Sequence, residues 1–226
     1  MLPRSAAELA RLIDHTLLKP EATRADVERL CDECLAHDFF ACCVNPVWVA
    51  TCAGRLAGSR TAVATVAGFP LGASLPEVKA DEARRAIEQG AREIDMVANL
   101  GALRDGDGRR AAADIVAVVD AARRTRPDVL IKVILETAAL TDEQIVLGCR
   151  CAAEGQADFV KTSTGFHAAG GARVEHVALL RRHAAPIRVK ASGGIRDLPT
   201  AMAMLEAGAD RLGLSAGVAI LAGMPR

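Results

Sequence analysis

The chain has 226 residues, 51% of them hydrophobic, which suits one α/β domain around a large buried core. Its 28 Lys and Arg balance its 28 Asp and Glu, so net charge gives no reason to expect nucleic acid or a membrane surface as a partner. A small anionic ligand stays compatible, because a local site can be basic in a neutral protein.

Residues 1–12 carry a short amphipathic pattern without the apolar run of a secretion signal, and no stretch approaches the length of a membrane span, so the expected location is the cytoplasm. Strand-like runs then alternate with amphipathic stretches. In chain order the patterning predicts a strand at 12–16, a helix over 25–37, strands over 39–45 and 61–67, and a helix over 76–89. A strand over 93–99, a helix over 109–124, a strand over 129–136 and a helix over Asp142–Glu154 follow. The remainder reads as a strand over 159–164, a helix over Val174–His183, a strand over 187–192, a helix over 199–207 and a strand over Arg211–Leu214. Thr141 and Asp197 sit where helix N-caps belong, and Gly90, Gly155 and Gly208 where helices should stop. Several strands are apolar almost throughout, as expected when helices cover a sheet. Eight strands in βα alternation favour a (β/α)8 TIM barrel with a short N-terminal helix, residues 1–226 forming one domain. No G-x-G-x-x-G follows the first strand, so nothing supports a dinucleotide fold.

The seven cysteines, several within apolar runs as at Cys42, Cys43 and Cys52, read as reduced, buried thiols. The Cys31-x-x-Cys34 pair suggests redox or zinc chemistry. Its visible co-ligands are only His37 and the distant Cys149-x-Cys151, so small buried hydrophobes are the favoured reading.

Lysine usage points to chemistry. Only five of the 28 basic residues are Lys, at 19, 79, 132, 161 and 190, and the last three lie inside apolar strands. A buried cation is costly unless paired, and lysine, unlike arginine, can lose its proton and become a nucleophile. In a barrel, function sits at the C-terminal strand ends and inward positions alternate. Placing Lys161 inward puts Phe159 and Ser163 on its face. The same choice groups Asp14 with Thr16, Asp95 with Val97 and Asn99, Lys132 with Ile134 and Glu136, and Lys190 with Arg188 and Ser192. For Lys132 a structural ion pair is favoured; for Lys161 and Lys190, function. Two adjacent lysines leave one as a free amine near neutrality while carboxylates such as Asp95 or Asp14 hold the other protonated, as Schiff-base formation requires. The glycine-rich stretches Ser192-Gly193-Gly194 and Gly213-Leu214-Ser215-Ala216-Gly217, with a short helix from Ala216, read as a phosphate site after the last two strands.

These residues fall in blocks: Ile13-Asp14-His15-Thr16-Leu17-Leu18, Glu93-Ile94-Asp95-Met96-Val97, Lys132-Val133-Ile134-Leu135-Glu136-Thr137, Lys161-Thr162-Ser163-Thr164-Gly165-Phe166 and Lys190-Ala191-Ser192-Gly193-Gly194-Ile195-Arg196. In combination, over residues 13–220, the chain resembles the deoxyribose-phosphate aldolases. The resemblance implies reversible cleavage of 2-deoxy-D-ribose 5-phosphate to D-glyceraldehyde 3-phosphate and acetaldehyde, in deoxyribonucleotide catabolism, without metal or organic cofactor, by a homodimer or homotetramer. It implies Lys161 as the Schiff-base nucleophile, Lys190 as the lysine that lowers its pKa, Asp95 as an acid/base acting through water, and Asp14 in the charged relay. Thr16 and Thr164 would line the sugar, and Gly165, Gly193, Gly194 and Ser215 the phosphate turns. Two departures stand out: Ala216 replaces a serine of many relatives, and the chain has no tyrosine to match the one in their C-terminal tail. Cys43 matches a thiol near the pocket mouth in some relatives, although a core cysteine is the favoured reading. The rivals are another Schiff-base aldolase or transaldolase, and a non-catalytic sugar-phosphate binding protein.

Overall fold

The computed structural model describes residues 2–224; Met1, Pro225 and Arg226 lie outside it. Eight parallel strands close in sequence order, β1 (Ile13–Leu17), β2 (Ala41–Val44), β3 (Ala62–Ala67), β4 (Glu93–Val97), β5 (Leu130–Ile134), β6 (Phe159–Lys161), β7 (Arg188–Ser192) and β8 (Arg211–Leu214), with β8 pairing back to β1. The expected TIM barrel is therefore the observed fold. The surrounding helices are α1 (Ala6–Ala10), α2 (Arg24–His37), α3 (Val49–Arg55), α4 (Pro76–Glu88), α5 (Leu100–Arg104), α6 (Gly108–Thr125), α7 (Asp142–Glu154), α8 (Val174–His183), α9 (Leu198–Glu206) and α10 (Gly217–Ala222).

Local chemistry sets several boundaries. Thr23 and Asp26 form a reciprocal capping box that starts α2, and Thr141 with Gln144 does the same for α7. Asp197 accepts from the Thr200 amide to start α9. Gly90 and Gly208 take positive φ after their helices, as expected. Gly155 does not: Gln156 takes the left-handed turn at φ 57°, while Gly155 has φ −74°. Packing fixes Gly155, because a Cβ there would lie 2.5 Å from Cγ2 of Ile115 on α6.

The main core lies between barrel and helices, where Leu9, Ile13, Phe39, Ile94, Ile115 and Val133 are wholly buried. Inside the barrel the two halves differ. Ala41, Cys43, Ala64 and Val66 give β2 and β3 small inward side chains, forming an apolar cluster with Leu18. Charged side chains from β1 and β4–β8 fill the rest, using space that the small residues leave.

The strands end earlier than their apolar runs. β4 stops at Val97, so Asn99 caps α5 by accepting from Ala102 instead of continuing the inward face. β5 stops at Ile134, and Glu136 adopts a left-handed turn at φ 54°. β6 stops at Lys161; beyond it side chains join the strands, Thr162 Oγ1 donating to Ser192 O and Ser192 Oγ to Ser163 O.

Candidate active site

Strand register brings the expected residues together. Asp95 is level with Lys132, Ile134 with Lys161, Lys161 with Lys190, and Lys190 with Arg211. The result is one buried ionic network. Lys161 Nζ lies 2.7 Å from Asp95 Oδ2, and Lys190 Nζ lies 2.7 Å from the same oxygen. Lys190 also pairs closely with Asp14. Lys132 Nζ lies 2.6 Å from Asp95 Oδ1 and 2.6 Å from Glu93 Oε2. Arg211 Nη1 closes the network at 2.7 Å from Asp14 Oδ1 and 3.4 Å from Glu93 Oε2. Its guanidinium lies 3.3 Å from the Phe40 ring centroid.

Four cations, Lys132, Lys161, Lys190 and Arg211, thus meet three carboxylates, Asp14, Glu93 and Asp95. Full ionisation would bury an excess positive charge, so one amine is favoured to lose its proton. Lys161 is the least supported, having a single carboxylate that it shares with two other lysines. Burial, with the Lys190 ammonium, holds its amine below the ordinary lysine value against the pull of Asp95. For Lys190 burial also opposes the charge, but Asp14 and Asp95 outweigh it and raise the pKa. Lys132 is raised likewise by Asp95, Glu93 and Asp14. Burial disfavours the charge on Asp95, yet the three lysines hold it ionised well below the usual carboxylate range. Asp14 is depressed in the same way by Lys190 and Arg211.

A pocket of about 320 Å³ opens above Lys161. Thr16, Thr164, Gly165, Gly193, Gly194 and Ser215 all line it, so each expected binding residue is at the same mouth as the lysine. Glu136 holds one wall: its carboxylate accepts from the Thr164 amide at 3.2 Å and from Thr164 Oγ1 at 2.5 Å. Gly193 and Gly171 cross so closely that a Cβ on Gly171 would lie 2.2 Å from Gly193 O. Ala216 does not line the pocket; it is the N-cap of α10, which begins at Gly217.

Several contributors were not foreseen. Glu93 and Arg211 complete the network, although the sequence marked Arg211 only as a strand start. Exposed Lys19 and Arg196 line the pocket and supply positive charge to its mouth. Gly213 gives Lys190 its path, since a Cβ there would lie 2.8 Å from Lys190 Cε. Cys43 points into the barrel, wholly buried, and burial with the nearby Asp95 pushes its thiol up to about 11. It packs as a core residue.

An eight-stranded barrel with a buried lysine–carboxylate network beneath its C-terminal mouth is the frame of an aldehyde-lyase. The chain belongs to the DeoC/LacD family of aldolases, which residues 9–223 match. It is 55% identical over 214 residues to a deoxyribose-phosphate aldolase of Brevibacillus brevis, covering 94% of this chain and 95% of the relative. It is 54% identical over 217 residues to that of Enterococcus faecalis, covering 96% and 97%. Among solved structures, the tetrameric deoxyribose phosphate aldolase of Aeropyrum pernix superposes with a TM-score of 0.89 at 34% identity, covering 96% of this chain and 91% of that one. The resemblance drawn from the sequence blocks is thereby established.

Proposed function

We propose that this protein is a class I aldolase that reversibly cleaves 2-deoxy-D-ribose 5-phosphate to D-glyceraldehyde 3-phosphate and acetaldehyde, in deoxyribonucleotide catabolism. The observation that carries the proposal is Lys161, an amine held below the normal lysine pKa at the floor of a pocket of about 320 Å³. Its free amine attacks C1 of the open-chain sugar, and loss of water from the carbinolamine leaves an iminium. Removal of the proton from the C3 hydroxyl then breaks the C2–C3 bond. That electron pair flows to the iminium nitrogen, giving an enamine and glyceraldehyde 3-phosphate. Protonation of the enamine at C2 and hydrolysis release acetaldehyde and restore the amine.

Asp95 is a carboxylate throughout the resting state, so its part begins as an acceptor. Once Lys161 becomes an iminium it donates at most one hydrogen bond. Asp95 Oδ2 then has capacity for a water that passes protons to and from the substrate, and Lys190 is the protonated neighbour that replenishes it. Lys190 keeps Lys161 unprotonated, and Asp14 holds Lys190. Thr16 and Thr164 line the sugar. The Gly165, Gly193, Gly194 and Ser215 backbone, with Lys19 and Arg196 at the rim, receives the phosphate.

On this reading residues 1–226 form a single domain that works in the cytoplasm as a homodimer or homotetramer; the A. pernix relative is tetrameric. No helix among the described residues is long and apolar enough to cross a membrane. The test is a condensation assay: glyceraldehyde 3-phosphate should be consumed only when acetaldehyde is supplied, giving 2-deoxyribose 5-phosphate. Turnover of ketose phosphates without any acetaldehyde requirement would favour a different aldolase or a transaldolase.

A further inference from the structure

A second set of nucleophilic side chains lies outside the barrel. Strand β2 points Cys43 inward, so its neighbour Cys42 faces the helical layer. There Cys31 from α2 and Cys52 from α3 meet it. The three sulfurs lie within 4.8 Å of one another, and all three residues are wholly buried. Cys34, one turn along the buried face of α2 from Cys31, is wholly buried as well. Three thiols from three elements therefore converge.

We propose that Cys31, Cys42 and Cys52 form a buried structural site for a thiophilic divalent cation of the zinc class. Tetrahedral zinc thiolate sites have Zn–S of about 2.3 Å, hence sulfur separations of about 3.8 Å. The three sulfurs, within 4.8 Å of one another, stand about 1 Å or less from that spacing. The donors are all sulfur, which selects soft metals over magnesium or calcium. Charge favours a divalent over a monovalent ion, because several thiolates must be compensated in an apolar layer. Arg55, at the end of α3, pairs with Asp32 of α2 at 2.5 Å and ties the two helices together. Binding displaces the thiol protons and clamps α2, β2 and α3 together. The sequence displayed Cys31-x-x-Cys34 but not the fold that brings Cys42 and Cys52 to it; Cys149 and Cys151, the partners considered there, lie on α7.

The test is titration of reduced, metal-stripped protein with Cd2+ and separately with Zn2+, followed by thiolate–cadmium charge-transfer absorption, bound metal after desalting, and melting temperature. One ion per chain and a raised melting temperature are expected. Both effects should be lost in Cys31→Ser and Cys52→Ala and kept in a Cys149→Ala/Cys151→Ala double variant. X-ray absorption of the cadmium-loaded wild-type chain, which requires no substitution, should find three or four sulfur neighbours. Failure to retain metal, retention undiminished in Cys31→Ser, or fewer than three sulfur neighbours would overturn the proposal.

Discussion

Lys161 and Lys190 donate to one and the same atom, Asp95 Oδ2, each at 2.7 Å. Two amines on one carboxylate oxygen cannot be equally charged at equal cost, and the second carboxylate, Asp14, belongs to Lys190 alone of the two. The surroundings thus favour the charge on Lys190 over that on Lys161. Because the folded pKa of Lys161 is depressed, its reactive form appears as pH rises through that value, earlier than for an ordinary lysine. Replacing Lys190 by Leu removes the repelling charge and should move the rising limb of the kcat/KM profile to higher pH. Activity at neutral pH should fall by on the order of 10²-fold. A limb unmoved from that of the wild type would contradict the role given to Lys190.

The fold was legible because its signals are local and repeated: capping residues, helix-stopping glycines and apolar strands. The end of each strand was less so. Nothing in the composition of 159–164 marks Lys161 as its last ladder residue, because Thr162 Oγ1 continues the join by bonding the Ser192 amide and carbonyl. Lys161, Lys190, Asp95 and Asp14 were legible because charge in an apolar strand needs a reason. Glu93 and Arg211 stand at the first positions of their strands, where a charge normally faces solvent. Only barrel closure, which brings β8 beside β1, puts Arg211 against Asp14. The glycine turns that line the pocket stand out in the sequence, whereas Arg196 and Lys19 look like any exposed cations.

Charge counting gives two substitutions opposite effects. Glu93→Gln leaves four cations on two carboxylates, so the Lys161 amine should be freed at lower pH and the activity limb should move down. Arg211→Met leaves three cations on three carboxylates, so Lys161 should stay protonated to higher pH and the limb should move up. The latter also breaks a buried pair, at a cost of about 3–5 kcal/mol in urea denaturation. Shifts of the same sign in both variants would show that the network does not set the amine's pKa.

Lys79 and Asp114 form a wholly buried pair at 2.8 Å outside the barrel, and Lys79 Nζ also donates to Val97 O at the end of β4. Lys79→Met should destabilise the protein by about 3–5 kcal/mol by stranding Asp114. Adding Asp114→Leu should recover part of the loss. Urea denaturation of the two variants checks this; equal stability in both would mean the loss comes from packing alone.

Arg196 borders the pocket without touching the lysine network. Arg196→Ala should raise KM for 2-deoxyribose 5-phosphate by about 10-fold, since a hydrogen bond to a charged group contributes about 1.5–3 kcal/mol. It should leave kinetics with unphosphorylated 2-deoxyribose nearly unchanged. Equal losses on both substrates would place the effect elsewhere than the phosphate.

The central claim is a covalent bond between substrate and Lys161. Borohydride reduction in the presence of 2-deoxyribose 5-phosphate, followed by peptide mass mapping, tests it most directly. The expected result is a single reduced adduct on Lys161, formed in parallel with loss of activity and absent from Lys161→Ala. An adduct on a different lysine, or none in folded protein that binds the sugar, would contradict it.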